Sequence, residues 1–421
     1  MASPLYYHLT GKVEAYLRAN IFESSVPIVK GQLMRLADRM YRLKTENAFV
    51  VLAKAKELER QGRDIVHLEI GDTDFDTPTH IVEEAYAQMK RGQTHYCPSA
   101  GLLELREACC EWLRREGRGD YSPNQIVVGP GKLFLYSMIM TLAGPGDEVI
   151  YPDPGFPVYE SVILYAGARP VPLPIVEENN FRVNPDDLIR RVTDRTRLLI
   201  LNYPHNPTGG ILTRTELDAV AEIALKNDII VLSDEVYAHM LFAGQHVSIA
   251  TLPGMKDRTV MLESFSKTYA MTGWRLGFVA APTSLAEPIT QLITNTISCV
   301  PPFVQHAGVK ALLHDQSVSR AMMEDFKRRR DFFVPALNKI PGITCKSPDG
   351  AFYAFPNVSK LPMTAEKFSD YLLDSVGVAT LPGSAFGSIA KNHLRMCFAT
   401  SVENLKKAID RIGKAVAKIM S

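Results

Sequence analysis

What this sequence lacks narrows the field before any motif is read. It has no charge imbalance: 47 lysines and arginines face 46 aspartates and glutamates, a formal net charge of +1. Nothing in that balance favours nucleic acid or an anionic membrane as a partner. It has no cysteine framework. Cys97, Cys109, Cys110, Cys299, Cys345 and Cys397 show no metal-ligand spacing, and a chain this long needs no disulfide staples, so they read as reduced thiols of a cytoplasmic protein. Met1–Thr10 lacks the basic-then-apolar pattern of a signal peptide. No apolar run is long enough to span a bilayer, and there is no internal repeat or low-complexity tract.

What remains is an ordinary globular balance, 46% apolar and 22% charged, in 421 residues, enough for two domains. Residues 1–30 carry Tyr6, Tyr7, Tyr16, Leu17, Ile21 and Phe22. They are too apolar for a disordered tail and read as an arm packed on the domain or on a second subunit. Residues 31–62 read as helical, with Leu33, Leu36, Met40 and Leu43 and then Val51, Ala55 and Leu58 at helical spacing. Residues 65–70 alternate like a strand and run into the turn-rich loop Gly71–Pro78.

From about residue 80 to 309 helices and strands alternate. The predicted strands are Gln125–Gly129, Glu148–Tyr151, Arg169–Pro172, Leu198–Asn202, Ile229–Ser233, Thr259–Leu262 and Leu276–Ala280. Most are apolar on both faces, as a sheet covered by helices requires. The helices between them include Leu103–Arg115, Leu133–Leu142, Arg214–Lys226 and Pro288–Ser298. The fold class is therefore α/β, a doubly wound, mostly parallel, seven-stranded sheet. Residues 310–421 change character, with a charged helix through Arg328–Arg330, strand-like runs at Ala351–Phe355 and Leu394–Phe398, and a closing helix from Val402. With residues 31–79 they are expected to form a smaller α+β domain.

Ligands of such sheets sit beyond the carboxyl ends of the strands, and chemistry-bearing residues collect there. Ser264, Ser266, Lys267 and Arg275 follow one strand. Hydroxyls and a guanidinium suit a phosphate, and a buried lysine whose pKa is lowered can form a Schiff base. Gly129-Pro130-Gly131-Lys132 ends a strand and opens a helix, a second place for phosphate. Phe156 can stack on a flat ring, and Asn206 can donate to a ring oxygen. Asp234 can pair with a protonated ring nitrogen or, equally, cap a helix; Tyr237 can donate to the same ring oxygen as Asn206. Arg395, on a late apolar strand, suits a carboxylate. Each feature alone has an ordinary structural explanation. As a set they match pyridoxal 5'-phosphate, which supplies both an aldehyde and a phosphate.

These residues resemble the class I aminotransferases of fold type I, pyridoxal-phosphate enzymes related to aspartate aminotransferase. The resemblance covers roughly residues 31–421 and rests on Asn206-Pro207-Thr208-Gly209, Ser233-Asp234-Glu235-Val236-Tyr237 and Ser264–Gly277. The loop Gly71–Pro78 points to the bacterial branch. The resemblance implies a homodimer with shared active sites and Lys267 holding the cofactor as an internal aldimine, with Asp234 on the ring nitrogen. Tyr237 and Asn206 would take the ring oxygen and Phe156 the ring face, with Gly131, Lys132, Ser264, Ser266 and Arg275 on the phosphate. Tyr96 would reach the partner subunit's phosphate. Arg395, with the backbone of Gly71 and with Asn206 beside it, would bind the substrate. The arm before residue 31 is longer than the family usually has.

The reaction implied moves an amino group from an amino acid to a 2-oxo acid, with no metal. The same lysine and ring also serve β- or γ-elimination, replacement, cyclisation or oxidase chemistry, which stand as the alternative. A ligand-sensing regulator needs a DNA-binding module, and residues 1–30 are too short and insufficiently basic for one.

Overall fold

The computed structural model describes residues 36–44, 46–242 and 244–421. The arm expected at residues 1–30, and Leu33, lie outside them. Residues up to Tyr41 form a separate unit whose described part is a single 3-10 turn, and Arg42–Ser421 form one compact unit.

Within the larger unit, seven strands make one sheet. Across it they run Ile126–Gly129, Gly277–Ala280, Thr259–Ser264, Ile230–Asp234, Thr196–Asn202, Glu148–Asp153 and Arg169–Pro174. Gly277–Ala280 is antiparallel to both neighbours and every other pairing is parallel. Four of the strands are buried along their whole length, because helices cover both faces; the carboxylates they carry at Glu148 and Glu263 are held by arginines. Separate apolar cores fill the two sides. One is built on Phe134, Met138 and Tyr159, the other two on Trp112 with Phe278 and on Ile150 with Leu217.

A further core joins Val66 and Leu68 to Phe326, Phe352, Phe368 and Ile412. Around it lie a three-stranded sheet, Leu381–Pro382, Leu394–Cys397 and Tyr353–Ala354, and a two-residue parallel pairing of Val66–His67 with Val378–Ala379. The strand expected over residues 65–70 is thus only two residues long. Leu68 instead bridges the two small sheets, its N–H bound to Ala379 O and its carbonyl accepting from Cys397 N, after which the chain enters the Gly71 loop. Where residues 31–62 suggested two helices, the described part has the turn Asp38–Arg42 and one helix, Asn47–Arg60. Helices Leu103–Arg115 and Arg214–Lys226 match their expected bounds. Two others start earlier, at Gly131 and Thr283, since a proline at the preceding position is compatible with a helix entry.

Under the sheet's carboxyl edge lies a buried ionic cluster. Arg118 donates through Nη2 to Glu235 Oε2 (2.7 Å) and through Nη1 to Glu263 Oε2 (2.5 Å). Glu235 also accepts from His246 Nε2 (2.7 Å) and from the hydroxyls of Ser233 and Ser248 (2.7 and 2.6 Å). Glu263 Oε1 accepts from the Ser264 N–H (2.9 Å). Burial would raise the Glu235 carboxyl, but His246 and Arg118 outweigh it and hold it down at about 2. Burial pushes Glu263 up to about 7 against the pull of the same guanidinium. The two carboxyls share one cation, and the better-donated one keeps the charge.

Removing that cation strands at least one buried carboxylate. Arg118→Met is expected to lower unfolding stability by about 3–5 kcal/mol, read by urea denaturation. Adding Glu235→Gln and Glu263→Gln should recover much of the loss. A single variant as stable as the parent would show that the cluster does not hold the strands together.

Candidate active site

A cavity of about 570 Å³ opens at the carboxyl edge of the large sheet. Of the residues picked out from the sequence, all but Tyr96 line it: Gly71, Gly131, Lys132, Phe156, Asn206 and Asp234 on one hand, Tyr237, Ser264, Ser266, Lys267, Arg275 and Arg395 on the other. Tyr96 stands apart with 89% of its surface exposed.

Lys267 sits on a four-residue helix, Phe265–Thr268, entered directly from a sheet strand and capped by Ser264, whose Oγ accepts from Ser266 N (3.2 Å). Its Nζ donates to Gly71 O (2.5 Å) and lies 5.6 Å over the Phe352 ring. Burial lowers its pKa to about 8; Arg395 and Arg275 push the same way, and Asp72 and Cys397 resist. The amine therefore loses its proton near pH 8, so its neutral fraction at neutral pH is far larger than that of an exposed lysine, as a nucleophile or base requires.

Two residues after this lysine are non-glycines in the left-handed region, Ala270 (φ 52°) and Arg275 (φ 57°), each costing roughly 1–3 kcal/mol. The loop is held there from outside. Trp274 Nε1 donates to Thr77 Oγ1 (2.9 Å), and Thr77 Oγ1 donates to Ala270 O (2.6 Å). The loop Gly71–Pro78 is thereby stitched to the segment after Lys267. Gly71 itself must be small, because a Cβ there would lie 2.2 Å from Tyr353 Oη.

Asp234 ends its strand 4% exposed. Its Oδ2 accepts from Tyr159 Oη (2.5 Å). Burial pushes its carboxyl up to about 6 against that bond, and among the described residues no cation pairs with it. Asn206 accepts from Arg395 Nη1 through Oδ1 (3.1 Å) and donates its N–H to Asn202 Oδ1 (2.9 Å), so its amide nitrogen is the donor left for a guest. Tyr237 Oη shares a hydrogen bond with Tyr353 Oη (2.8 Å).

Arg395 is 4% exposed. Nη2 donates to Glu69 O (2.6 Å), while Nε has no partner. It is packed over Tyr353 and Phe386, 4.5 and 4.6 Å from their centroids. Among the described residues no carboxylate pairs with it. The helix Gly131–Leu142 begins against Ser264, a Cβ at Gly131 falling 3.7 Å from Ser264 Cβ. Free helix N–H groups, two serine hydroxyls and Arg275 thus share one end of the cavity.

The donor set fits pyridoxal phosphate on chemistry alone. It offers a neutralisable amine, a carboxylate without a cation, an anion site at a helix start, and a ring, Phe156, beside them. The Lys132 side chain points elsewhere: its Nζ pairs with Glu46 (2.7 Å) and lies over the Phe49 and Phe156 rings at 5.7 and 5.4 Å. Only its backbone N–H, in the helix's first turn, remains for a phosphate.

Sequence reasoning missed Tyr159, Tyr353, Glu46 and Phe49. Tyr159 carried a weak signal, a tyrosine on the helix Val158–Ala166 three residues after Phe156. Glu46 and Phe49 carried none, since they lie in no motif. Among the described residues no helix is long and apolar enough to cross a membrane, no cluster suits a metal ion, and all six cysteines are free.

The family model for aminotransferase class I and II matches residues 63–412. An aspartate aminotransferase of Pyrococcus abyssi is 41% identical over 360 residues, 84% of this chain and 92% of that protein. The aromatic-amino-acid aminotransferase 2 of Thermococcus litoralis is 38% identical over 91% of this chain and 98% of its own length. The solved aspartate aminotransferase from Thermus thermophilus with maleate superposes with a TM-score of 0.87 at 34% identity, covering 91% of this chain and all of that one. The chain belongs to the class I and II aminotransferases and is a pyridoxal-phosphate-dependent enzyme of fold type I.

Proposed function

We propose that Lys267 is the residue that carries the cofactor and the catalytic base of an amino-group transfer between an amino acid and a 2-oxo acid. The supporting observation is one cavity that holds both an amine with a pKa lowered to about 8 and a buried carboxylate with no cation of its own. Pyridoxal phosphate, when bound, supplies a reactive aldehyde and a cationic ring that stores the electron pair left on the substrate.

The chain's own residues divide the remaining work. Asp234, held by Tyr159, would pair with the ring nitrogen. Asn206 and Tyr237 would donate to the ring oxygen, and Phe156 would cover the ring face. Gly131, the Lys132 N–H, Ser264, Ser266 and Arg275 would hold the phosphate. Arg395, whose Nη1 and Nη2 each donate one bond and keep a second N–H free, would take the substrate α-carboxylate beside Gly71 and Asn206. Lys267 Nζ would then lift the proton from the substrate α-carbon. Relatives that are aminotransferases do not favour the elimination, replacement, cyclisation or oxidase alternatives.

The enzyme is further proposed to be a cytoplasmic homodimer, with Tyr96 reaching the partner subunit's phosphate. Support comes from its exposure and from Val82, Tyr86 and Met89, an exposed apolar stripe on helix Thr79–Lys90. Residues 42–79 and 310–421 are proposed to act as one small domain over residues 80–309, their shared core being the support.

Lys267→Ala is expected to cut kcat by roughly 10³-fold or more and to abolish the visible absorbance of bound cofactor while circular dichroism stays unchanged. A variant with normal turnover would overturn the assignment. In protein stripped of cofactor, acylation of Lys267 by an amine reagent, followed by mass spectrometry, should rise through a midpoint near pH 8 rather than the usual 10.5. Because the unfolded chain keeps that proton to higher pH, stability of the stripped protein should also rise between those values. A midpoint near 10.5 would show the amine to be unperturbed.

A further inference from the structure

The cations lining the cavity are Lys132, Lys267, Arg275 and Arg395. Under the roles proposed above, on which this inference rests, three are committed: Lys267 to the cofactor, Arg275 to its phosphate, Arg395 to the α-carboxylate. Lys132 is the one cation among the described lining residues left to meet a substrate side chain, and it is already engaged. Glu46 Oε2 lies 2.7 Å from its Nζ.

This ion pair is built rather than incidental. Glu46 precedes the helix Asn47–Arg60 at the N-cap position, yet its side chain makes no capping bond; its carboxylate is turned to Lys132 instead. The segment carrying it is pinned from the other side, where Lys44 N donates to Ser161 Oγ (2.9 Å) and Lys44 Nζ pairs with Glu160 (2.7 Å). Phe49, one helical turn on, is 55% exposed and forms part of the cavity wall, with the Lys132 ammonium over its ring and over that of Phe156. The mouth therefore presents two aromatic rings and a neutralised cation.

We propose that Glu46 is a specificity-determining residue: by holding the Lys132 ammonium it denies a second substrate carboxylate its counter-ion and sets the pocket for uncharged, chiefly aromatic, side chains. A dicarboxylic substrate must displace Glu46 from Lys132 and bring its own charge beside that carboxylate. An aromatic side chain meets no such competitor and can pack against Phe49. Glu46 and Phe49 precede residue 63, where the family model's match begins, so neither belongs to the motifs that carry the family resemblance.

The test is Glu46→Gln in the complete holoenzyme, with two readouts. The first is the ratio of kcat/KM for aspartate to that for phenylalanine, expected to rise about tenfold. The second is the Kd of maleate, a non-reacting dicarboxylate, measured by calorimetry and expected to fall about tenfold. Adding Lys132→Met to the variant should erase both gains, since the freed ammonium is their source. An unchanged or lower ratio with unchanged maleate affinity would overturn the role of Glu46. If no donor transfers its amino group even with the parent enzyme, the roles proposed above fail, and the maleate titration still decides the role of Glu46.

Discussion

One guanidinium underlies the active edge of this molecule. Arg118 is 2% exposed and bridges Glu235 and Glu263, which sit at the ends of adjacent parallel strands, Glu235 just past one and Glu263 within the other. Glu235 directly follows Asp234, and Glu263 directly precedes Ser264. The acid proposed for the ring nitrogen and the hydroxyl proposed for the phosphate are therefore set at the spacing of two strands cross-linked beneath them. A buried ion pair is seldom a net gain over apolar packing. Here its use is positional: two strand ends that must project polar groups into a cavity cannot also be fastened by apolar contacts on that side.

Above that cluster the logic reverses. The groups lining the cavity are left incomplete. Among the described residues Asp234 is buried without a cation and Arg395 without an anion, and Lys267 is desolvated until its proton is loosely held. Each such deficit is costly on its own, and in the roles proposed for these residues all would be relieved by one guest carrying a ring N–H, a phosphate and an aldehyde, followed by a second carrying a carboxylate. The strained backbone at Ala270 and Arg275 and the close approach of Gly71 to Tyr353 belong to the same arrangement, since each persists only because hydrogen bonds from the Thr77 loop and packing around it hold the segment in place.

The sheet was legible in the sequence because its strands are buried on both faces and bounded by turns, so apolar runs and punctuation coincide. The strand-end groups were legible for a related reason: a doubly wound sheet delivers whatever ends or follows each strand to one edge, and Asp234 ends a strand while Lys267 and Asn206 follow strands. What could not be read is whatever reaches the cavity by tertiary packing. Tyr159 arrives from a helix face, Tyr353 from a strand of another sheet, and Arg118 from a turn distant in sequence from both its partners. The short pairing Val66–His67 was over-read as a longer strand because alternation cannot distinguish a ladder from a chain that crosses between two sheets. Asp234 was ambiguous between cap and ligand until its burial and its bond to Tyr159 were visible.

That division between what is legible and what is not bears on how such an enzyme selects substrates. The residues that perform a shared reaction have to follow strand ends, and they carry the motifs by which the family is known. Nothing ties the residues that meet the variable side chain to those places. In this chain the wall proposed to face that side chain comes from Glu46 and Phe49, outside the strand-end motifs, and from the Lys132 side chain, whose backbone N–H is proposed to serve the phosphate. A single carboxylate on a pinned segment is enough to neutralise the one uncommitted cation among the described lining residues. Chemistry and selectivity are thus assigned to separate stretches of chain, and the second can change with no alteration to the strand ends that define the first.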